Sequence, residues 1–309
     1  MNAPSAADVT RGLLLGAAGV AMFAMTLPMT RLAVGDAAAP QLAPAFVTAG
    51  RAAVAGLLSV LVLWAVRASR PARRHAPSLL VSGLGTVVGF PLCLAMALRE
   101  VASMHAAVVS GTIPLATALV AAWSLRQRPS AAFWACALAG FGLVLAYAAW
   151  RGGGRLVAAD AWLLGAVLST AFGYVAGARV SAEVPASQVI CWILVFSLPL
   201  TVPAAMWLWP ANAAGVRPSA WLGFAYVSVF SMWLGFFAWY RGLALGGVVR
   251  VSQVQLLQPF LAILFAVPVL GEPLDPAAVG CALAVIAIVF VSRRTAVRAA
   301  GAPDPKPSP

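Results

Sequence analysis

Polar positions are scarce along this chain, and they gather where runs of about twenty apolar residues end, the length that spans a bilayer as a helix. The first half holds five such runs, Leu13–Leu32, Leu42–Ala65, Leu79–Leu98, Ser103–Leu125 and Ala131–Trp150. The second half holds five more, Ala161–Ala178, Ser187–Leu208, Trp221–Tyr240, Val248–Leu270 and Ala277–Val291. The pattern predicts an all-α integral membrane protein of ten transmembrane helices. Alone, the first run could pass for a signal peptide, but no soluble region follows it, so it reads as the first span. Residues 293–309 form a basic, Pro-rich tail, and its last stretch, Gly301–Pro309, reads as disordered.

Composition agrees with that pattern. The chain is 62% hydrophobic and 9% charged, where a soluble domain carries about 25% charged residues. Mean hydropathy is +0.95. The net charge of +12 does not form a basic face, because the arginines lie between apolar runs, so nucleic acid is not an expected partner. Cys93, Cys136, Cys191 and Cys281 all lie within apolar runs without paired spacing, and read as small core residues.

The placement of arginine predicts an orientation. With the N-terminus in the cytoplasm, the inner segments hold Arg11, Arg67, Arg70, Arg73, Arg74, Arg126, Arg128, Arg179, Arg241 and Arg250, and the tail adds Arg293, Arg294, Arg298 and Lys306. The outer segments hold Arg31, Arg99, Arg151, Arg155 and Arg217. The excess on one side is what the positive-inside rule requires. An even number of spans then places both termini in the cytoplasm, and a bacterial-type inner membrane is the expected location.

The chain also repeats itself. A single shift lays Ala97–Tyr147 on Gly242–Ser292 without a gap, carrying Pro114 onto Pro259, Leu119 onto Leu264 and Cys136 onto Cys281. A weaker match joins Leu14–Phe23 to Leu163–Phe172. Residues 1–150 and 151–292 therefore read as two five-span repeats. An odd number of spans per unit predicts that the second enters from the opposite side. Inverted repeats are a recurrent plan of secondary transporters, with the site between the repeats near the midplane.

Ten spans, this repetition, and Pro259 followed by Leu270-Gly271-Glu272 and Pro276 resemble the drug/metabolite transporter superfamily, EamA type, and within it the bacterial amino-acid and metabolite exporters. The resemblance covers Gly12 to Ser292. Its loose motifs imply a carrier of small molecules but say little of the substrate. The first repeat departs from the pattern, with Leu125-Arg126-Gln127-Arg128 where the second has Leu270-Gly271-Glu272-Pro273. Glu272 is thus expected to end a helix at the interface rather than to serve as one of a symmetric pair.

The candidate site follows from the proline breaks. Pro259 cannot donate to the carbonyl of Gln255, and Pro114 likewise frees the carbonyl of Ser110, the position aligned with Gln255. A free carbonyl at membrane depth must find protein, water or ligand. Ser252, Gln255 and Pro259 share one helical stripe with Gln258 at its edge, while Gln253 points elsewhere. Pro114 and Pro259 are the expected hinges, and Gln255, Gln258, Ser252 and Ser110 are expected to line a substrate cavity. The competing reading makes these amides packing contacts between helices.

Arg51 lies roughly 15 Å into its span. Such a charge must face the bundle or water, either as a structural arginine or against a substrate carboxylate. Tyr226, Phe230, Trp233, Phe237 and Tyr240 fall on one predicted stripe of the eighth span, read as packing or lipid contact, with its polar members, Trp233 and Tyr240 among them, as the alternative wall of a pathway. His105, close to Glu100, is a candidate for proton handling.

Every acidic residue is predicted at a loop, a tail or a span end, so facilitated diffusion or exchange is favoured over proton-coupled efflux. No P-loop, HExxH or aspartate-rich motif is present, so ATP-driven transport and an intramembrane lipid enzyme lack support. No catalytic residue, cofactor or metal is expected. The expected function is export of amino acids or similar zwitterionic metabolites by alternating access. The expected partners are that substrate and the bilayer, with the protein a monomer or weak homo-oligomer.

Overall fold

The computed structural model describes residues 6–124, 128–151, 153–154, 156–181, 183–246, 251–294 and 297–298, nearly all of them helical. Eight helices are long and apolar enough to cross a membrane: α1 (Ala7–Val34), α2 (Pro44–Ala65), α3 (Arg73–Ala97), α4 (Ser103–Ser124), α5 (Ala131–Arg151), α6 (Ala158–Ser181), α7 (Ala186–Trp207) and α8 (Pro218–Leu243). Two shorter apolar helices follow, α9 (Val254–Leu270) and α10 (Pro276–Val291). The first turn expected of α9 falls partly on residues 247–250, outside the described residues.

These helices are apolar all round because one side meets other helices and the other side meets lipid. Leu61, Leu138, Leu200 and Leu264 are exposed on the outside of the bundle, as hydrocarbon permits and water would not. Exposed tryptophans sit at helix ends, with Trp64 and Trp123 at one end and Trp150 and Trp207 at the other. That is the arrangement of the two interfacial aromatic belts of a membrane protein.

Residues after α4 pair with residues after α10 in a two-residue antiparallel ladder, Arg128 opposite Arg298 and Pro129 opposite Val297. The end of the bundle where α1 begins and α10 finishes is the termini end, and the opposite one is the far end. The helices pack α1 with α8, α2 with α7, α3 with α6, α4 with α9 and α5 with α10. Two of these crossings are backbone-close. A Cβ at Gly85 of α3 would lie 2.3 Å from the Ser169 carbonyl oxygen of α6, and one at Gly242 of α8 would lie 2.7 Å from the Gly16 nitrogen of α1. Only glycine permits that approach.

Four helices are interrupted at mid-depth. In α3 and α8 the α-helix widens to π geometry over Gly83–Gly89 and Val227–Leu234. The shift that lays Pro114 on Pro259 carries the first of these stretches onto 228–234. In α4, the helix Ser103–Ser110 stops and Ile113–Ser124 resumes after Gly111 and Thr112. In α9, the 3₁₀ turn Ser252–Leu257 gives way to α-helix at Gln258. The largest apolar core, with Phe46, Leu94, Leu98 and Met104, spans the far half. A smaller one lies around α2 and α7, with Leu63, Val189 and Ile190.

Candidate functional site

The four interruptions converge. Thr86 of α3, Ser110 and Pro114 of α4, Ser231 and Met232 of α8, and Gln255, Gln258 and Pro259 of α9 line one central chamber of ≈ 80 Å³. Helices break here because the sequence removes donors at Pro114 and Pro259 and admits wide turns at Gly83–Gly89 and Val227–Leu234. The two proline breaks touch across the halves: a Cβ at Gly111 would lie 3.5 Å from Pro259 Cγ. The chamber shares Phe23, Thr86, Tyr174, Phe236 and Gln255 with a vestibule of ≈ 630 Å³. This vestibule reaches Ser181, Ala186 and Leu243, at or next to the ends of α6, α7 and α8 on the termini side.

Of the residues predicted to bind substrate, Arg51, Ser110, Gln255 and Gln258 line the chamber, as do both hinge prolines. Tyr240 lines the vestibule instead. The side chain of Ser252 lies outside the described residues, as do that of Gln253 and all of Arg250. Trp233 lines neither space. It packs edge-on against Phe237 at 5.1 Å, beside the smaller core. Trp233 on Phe237 and Tyr226 on Phe230 fit the packing reading of the stripe, while the π stretch turns more slowly than an α-helix and rotates the face. Ser231, Met232 and Phe236 consequently reach the chamber.

The freed carbonyls also divide. The Gln255 oxygen is taken up by the N–H of Gln258, because the 3₁₀ turn tightens the ladder to i→i+3. At the other break, Gly111 N–H donates to Ala107 and Val108 and Thr112 N–H donates to Val109. No backbone donor is recorded for the Ser110 oxygen among the described residues. No hydrogen bond joins the Gln255 or Gln258 amide to another described residue, so neither acts as a helix-to-helix clamp there.

Arg51 is 2% exposed and donates from Nη2 to Ser231 Oγ at 2.9 Å. Ser231 in turn shares a 2.7 Å hydrogen bond with Thr26 Oγ1, and all three line the chamber. The Arg51 Nε has no partner among the described residues.

The expected neighbourhood of His105 is corrected. Glu100 is exposed, and the partner of His105 is Asp160, at 2.7 Å between Nε2 and Oδ1. Asp160 is 3% exposed and also accepts from the Val157 N–H at 2.9 Å. His105 stacks on Tyr147. A carboxylate at the sequence end of a span is therefore buried, because α6 starts inside the packed far half of the bundle. Glu272 lies just beyond α9 and accepts from the backbone N–H groups of Ser103 and Met104 at 2.8 and 3.1 Å. It caps α4, the equivalent helix of the other half.

Sequence reasoning missed Thr26, Thr86, Thr170, Tyr174 and Ser231 as chamber residues. The repeat carried a usable signal, since the shift that superposes Pro114 and Pro259 also lays Thr86 on Ser231. Asp160 left no signal, because burial at a helix end depends on neighbours distant in sequence.

Apolar helices with two aromatic belts, enclosing a polar chamber with one vestibule, define a multi-pass membrane transport protein. The chain belongs to the EamA-like transporter family, a ten-helix membrane fold that matches it twice, over residues 10–148 and 157–293. It is 43% identical over 287 residues, 93% of this chain and 98% of the other, to the uncharacterized transporter YdeK of Bacillus subtilis (strain 168). A solved crystal structure shares the fold at TM-score 0.59 and 23% identity, over 92% of this chain and 96% of that one.

Proposed function

We propose that this transporter carries amino acids or similar small zwitterionic metabolites out of the cell by alternating access, through facilitated diffusion or exchange. One observation carries the reading: a chamber bounded by the matched helix breaks of both halves and continuous with a vestibule that reaches the termini end. The pairing of α1 with α8 and of α3 with α6, beside the like-with-like pairs α2–α7, α4–α9 and α5–α10, supports two halves related by an inverting twofold. Such halves exchange conformations about a shared central site. The excess of arginines at the termini end supports a cytoplasmic placement of that end in a bacterial inner membrane. The walls suit the substrate class, since Gln255, Gln258 and Ser110 offer donors and acceptors while Phe23, Phe90 and Phe236 offer apolar surface.

The test is counterflow of radiolabelled amino acids into proteoliposomes holding the full-length chain. Gln255→Ala and Gln258→Ala should each cut transport roughly tenfold, the loss expected for one or two hydrogen bonds to substrate, with unchanged elution on size exclusion. No counterflow of any amino acid removes the substrate assignment. A second reading, proton-coupled efflux, gains one observation from the buried Asp160 facing His105. Uptake that depends on an imposed pH gradient would establish it over the first.

A further inference from the structure

The chamber is electrically unbalanced. Among the described residues, Arg51 is the one charged residue in its lining. The ion pairs among the described residues lie at the helix ends, joining Arg31 to Asp36, Arg74 and His75 to Glu183, His105 to Asp160 and Arg151 to Asp275, and none includes Arg51. Its one recorded partner is a hydroxyl, and its Nε donor, fully enclosed, has none. A buried guanidinium without a counter-ion is costly, and a buried donor without an acceptor adds to that cost. Packing alone does not call for this arrangement, whereas an anion arriving in the chamber satisfies both at once.

We infer that Arg51, held by Ser231 and Thr26, is the recognition site for a substrate carboxylate, and that the carrier closes around the substrate only when this charge is met. The inference rests on the transporter reading above and narrows its substrate class. Guanidinium and carboxylate are both planar, so a small turn of the side chain that brings the enclosed Nε–H to the chamber lets it and one Nη N–H grip the two carboxylate oxygens side by side. Ser231 Oγ accepts from Nη2 and is itself hydrogen-bonded to Thr26 Oγ1, which steadies the fork. Among the described residues no carboxylate lines the chamber to meet a substrate ammonium, leaving carbonyl and amide oxygens for that end. The acid end of the substrate therefore dominates recognition. A cycle step follows from the same imbalance. When the chamber shuts to both sides without substrate, Arg51 is stranded from water and from any anion. The empty carrier thus turns over more slowly than the loaded one, and exchange outruns net flow.

Three probes with one carbon skeleton separate the charges and suit the apolar walls. They are leucine, with both groups, 4-methylpentanoate, with the carboxylate alone, and isoamylamine, with the ammonium alone. The full-length protein in detergent should be protected against thermal unfolding by leucine and 4-methylpentanoate at millimolar concentration, and not by isoamylamine. Arg51→Gln should weaken carboxylate binding roughly 10- to 100-fold, the range for a charge-assisted pair. Arg51→Lys, which keeps the charge and loses the fork, should fall between. It also serves if Arg51→Gln does not elute as a single species.

In proteoliposomes, leucine uptake should be about tenfold faster into leucine-loaded vesicles than into empty ones, and Arg51→Gln should bring that ratio toward one. Several results overturn the inference: protection by isoamylamine equal to that by leucine, no protection by either carboxylate, or protection by chloride alone at the same concentration. Leucine counterflow that survives Arg51→Gln unchanged overturns it too, while leaving the transporter reading intact.

Discussion

The two ends of the bundle are held by different physical means. At the far end several ties run between helices distant in sequence, and the His105–Asp160 pair among them is buried. His105 and Asp160 are 7% and 4% exposed at their side chains, and Glu272 receives two backbone N–H groups of α4. Arg31 donates to the carbonyls of Leu98 and Val101, and Phe46 packs among Trp209, Trp221 and Phe224. At the termini end, the Arg74–Glu183 pair is 70% and 49% exposed, and Arg179 reaches Ser124 from an exposed position. The vestibule opens between these sparse contacts. Beside the part-exposed pairs Arg31–Asp36 and Arg151–Asp275, the far end holds the buried His105–Asp160 pair, whereas at the termini end the buried His75 faces a half-exposed Glu183. We expect access to follow how much desolvated pairing each end holds.

The sharpest way to break that contrast is to remove a carboxylate from the far end. Asp160→Ala leaves His105 buried without its partner and Val157 N–H without its acceptor. Losing one member of a buried pair costs about 3–5 kcal/mol, so the thermal unfolding midpoint should fall more than for any other single charge removal outside the chamber. A midpoint within a degree or two of wild type would mean that the far-end pair is not a seal. Glu272→Ala comes next. It removes the acceptor of two α4 donors, and a helix cap is worth about 1–2 kcal/mol. Because the cap joins the two halves, Glu272→Ala should also speed labelling of a cysteine introduced at Ser103 by a membrane-impermeant reagent added from the far side. Unchanged labelling would confine Glu272 to stabilising α4.

Much of the fold could be read from the chain, because hydrocarbon imposes a length on every apolar run. The predicted spans and the helices coincide to within a few residues, apart from α1 and α3, which start six residues earlier at Ala7 and Arg73, and α9. The chamber was partly legible. Prolines and amides are conspicuous in apolar surroundings, so Pro114, Pro259, Ser110, Gln255 and Gln258 stood out, and Arg51 did so as a lone charge. Hydroxyls such as Thr26 and Ser231 did not, since threonine and serine are common in spans and bond their own backbone. The π stretches were invisible to a reading that assumes one helical period, which is why Ser231, Met232 and Phe236 did not stand out as chamber residues. The pairing of His105 with Asp160 rather than Glu100 depends on how α4 and α6 cross, and no local pattern encodes that.

The smallest effect is expected at the termini end, and it sharpens the comparison by its size. Hydrogen bonding from Arg74, chiefly, and the charges of Arg74 and His75 hold the Glu183 carboxyl below the usual carboxylate range. A group whose pKa is depressed by folding contributes stability above its unfolded pKa and loses it as pH falls through the folded value. Any contribution from Glu183 is therefore fully present at neutral pH and disappears only under acid conditions. Because both partners are exposed, water and salt screen the pair. Glu183→Gln should leave the unfolding midpoint at neutral pH indistinguishable from wild type, and should only slightly flatten its decline in acid. If Glu183→Gln lowered the neutral midpoint as far as Glu272→Ala does, the two ends would be tied with equal strength. Differences in desolvated pairing would then no longer account for the open vestibule.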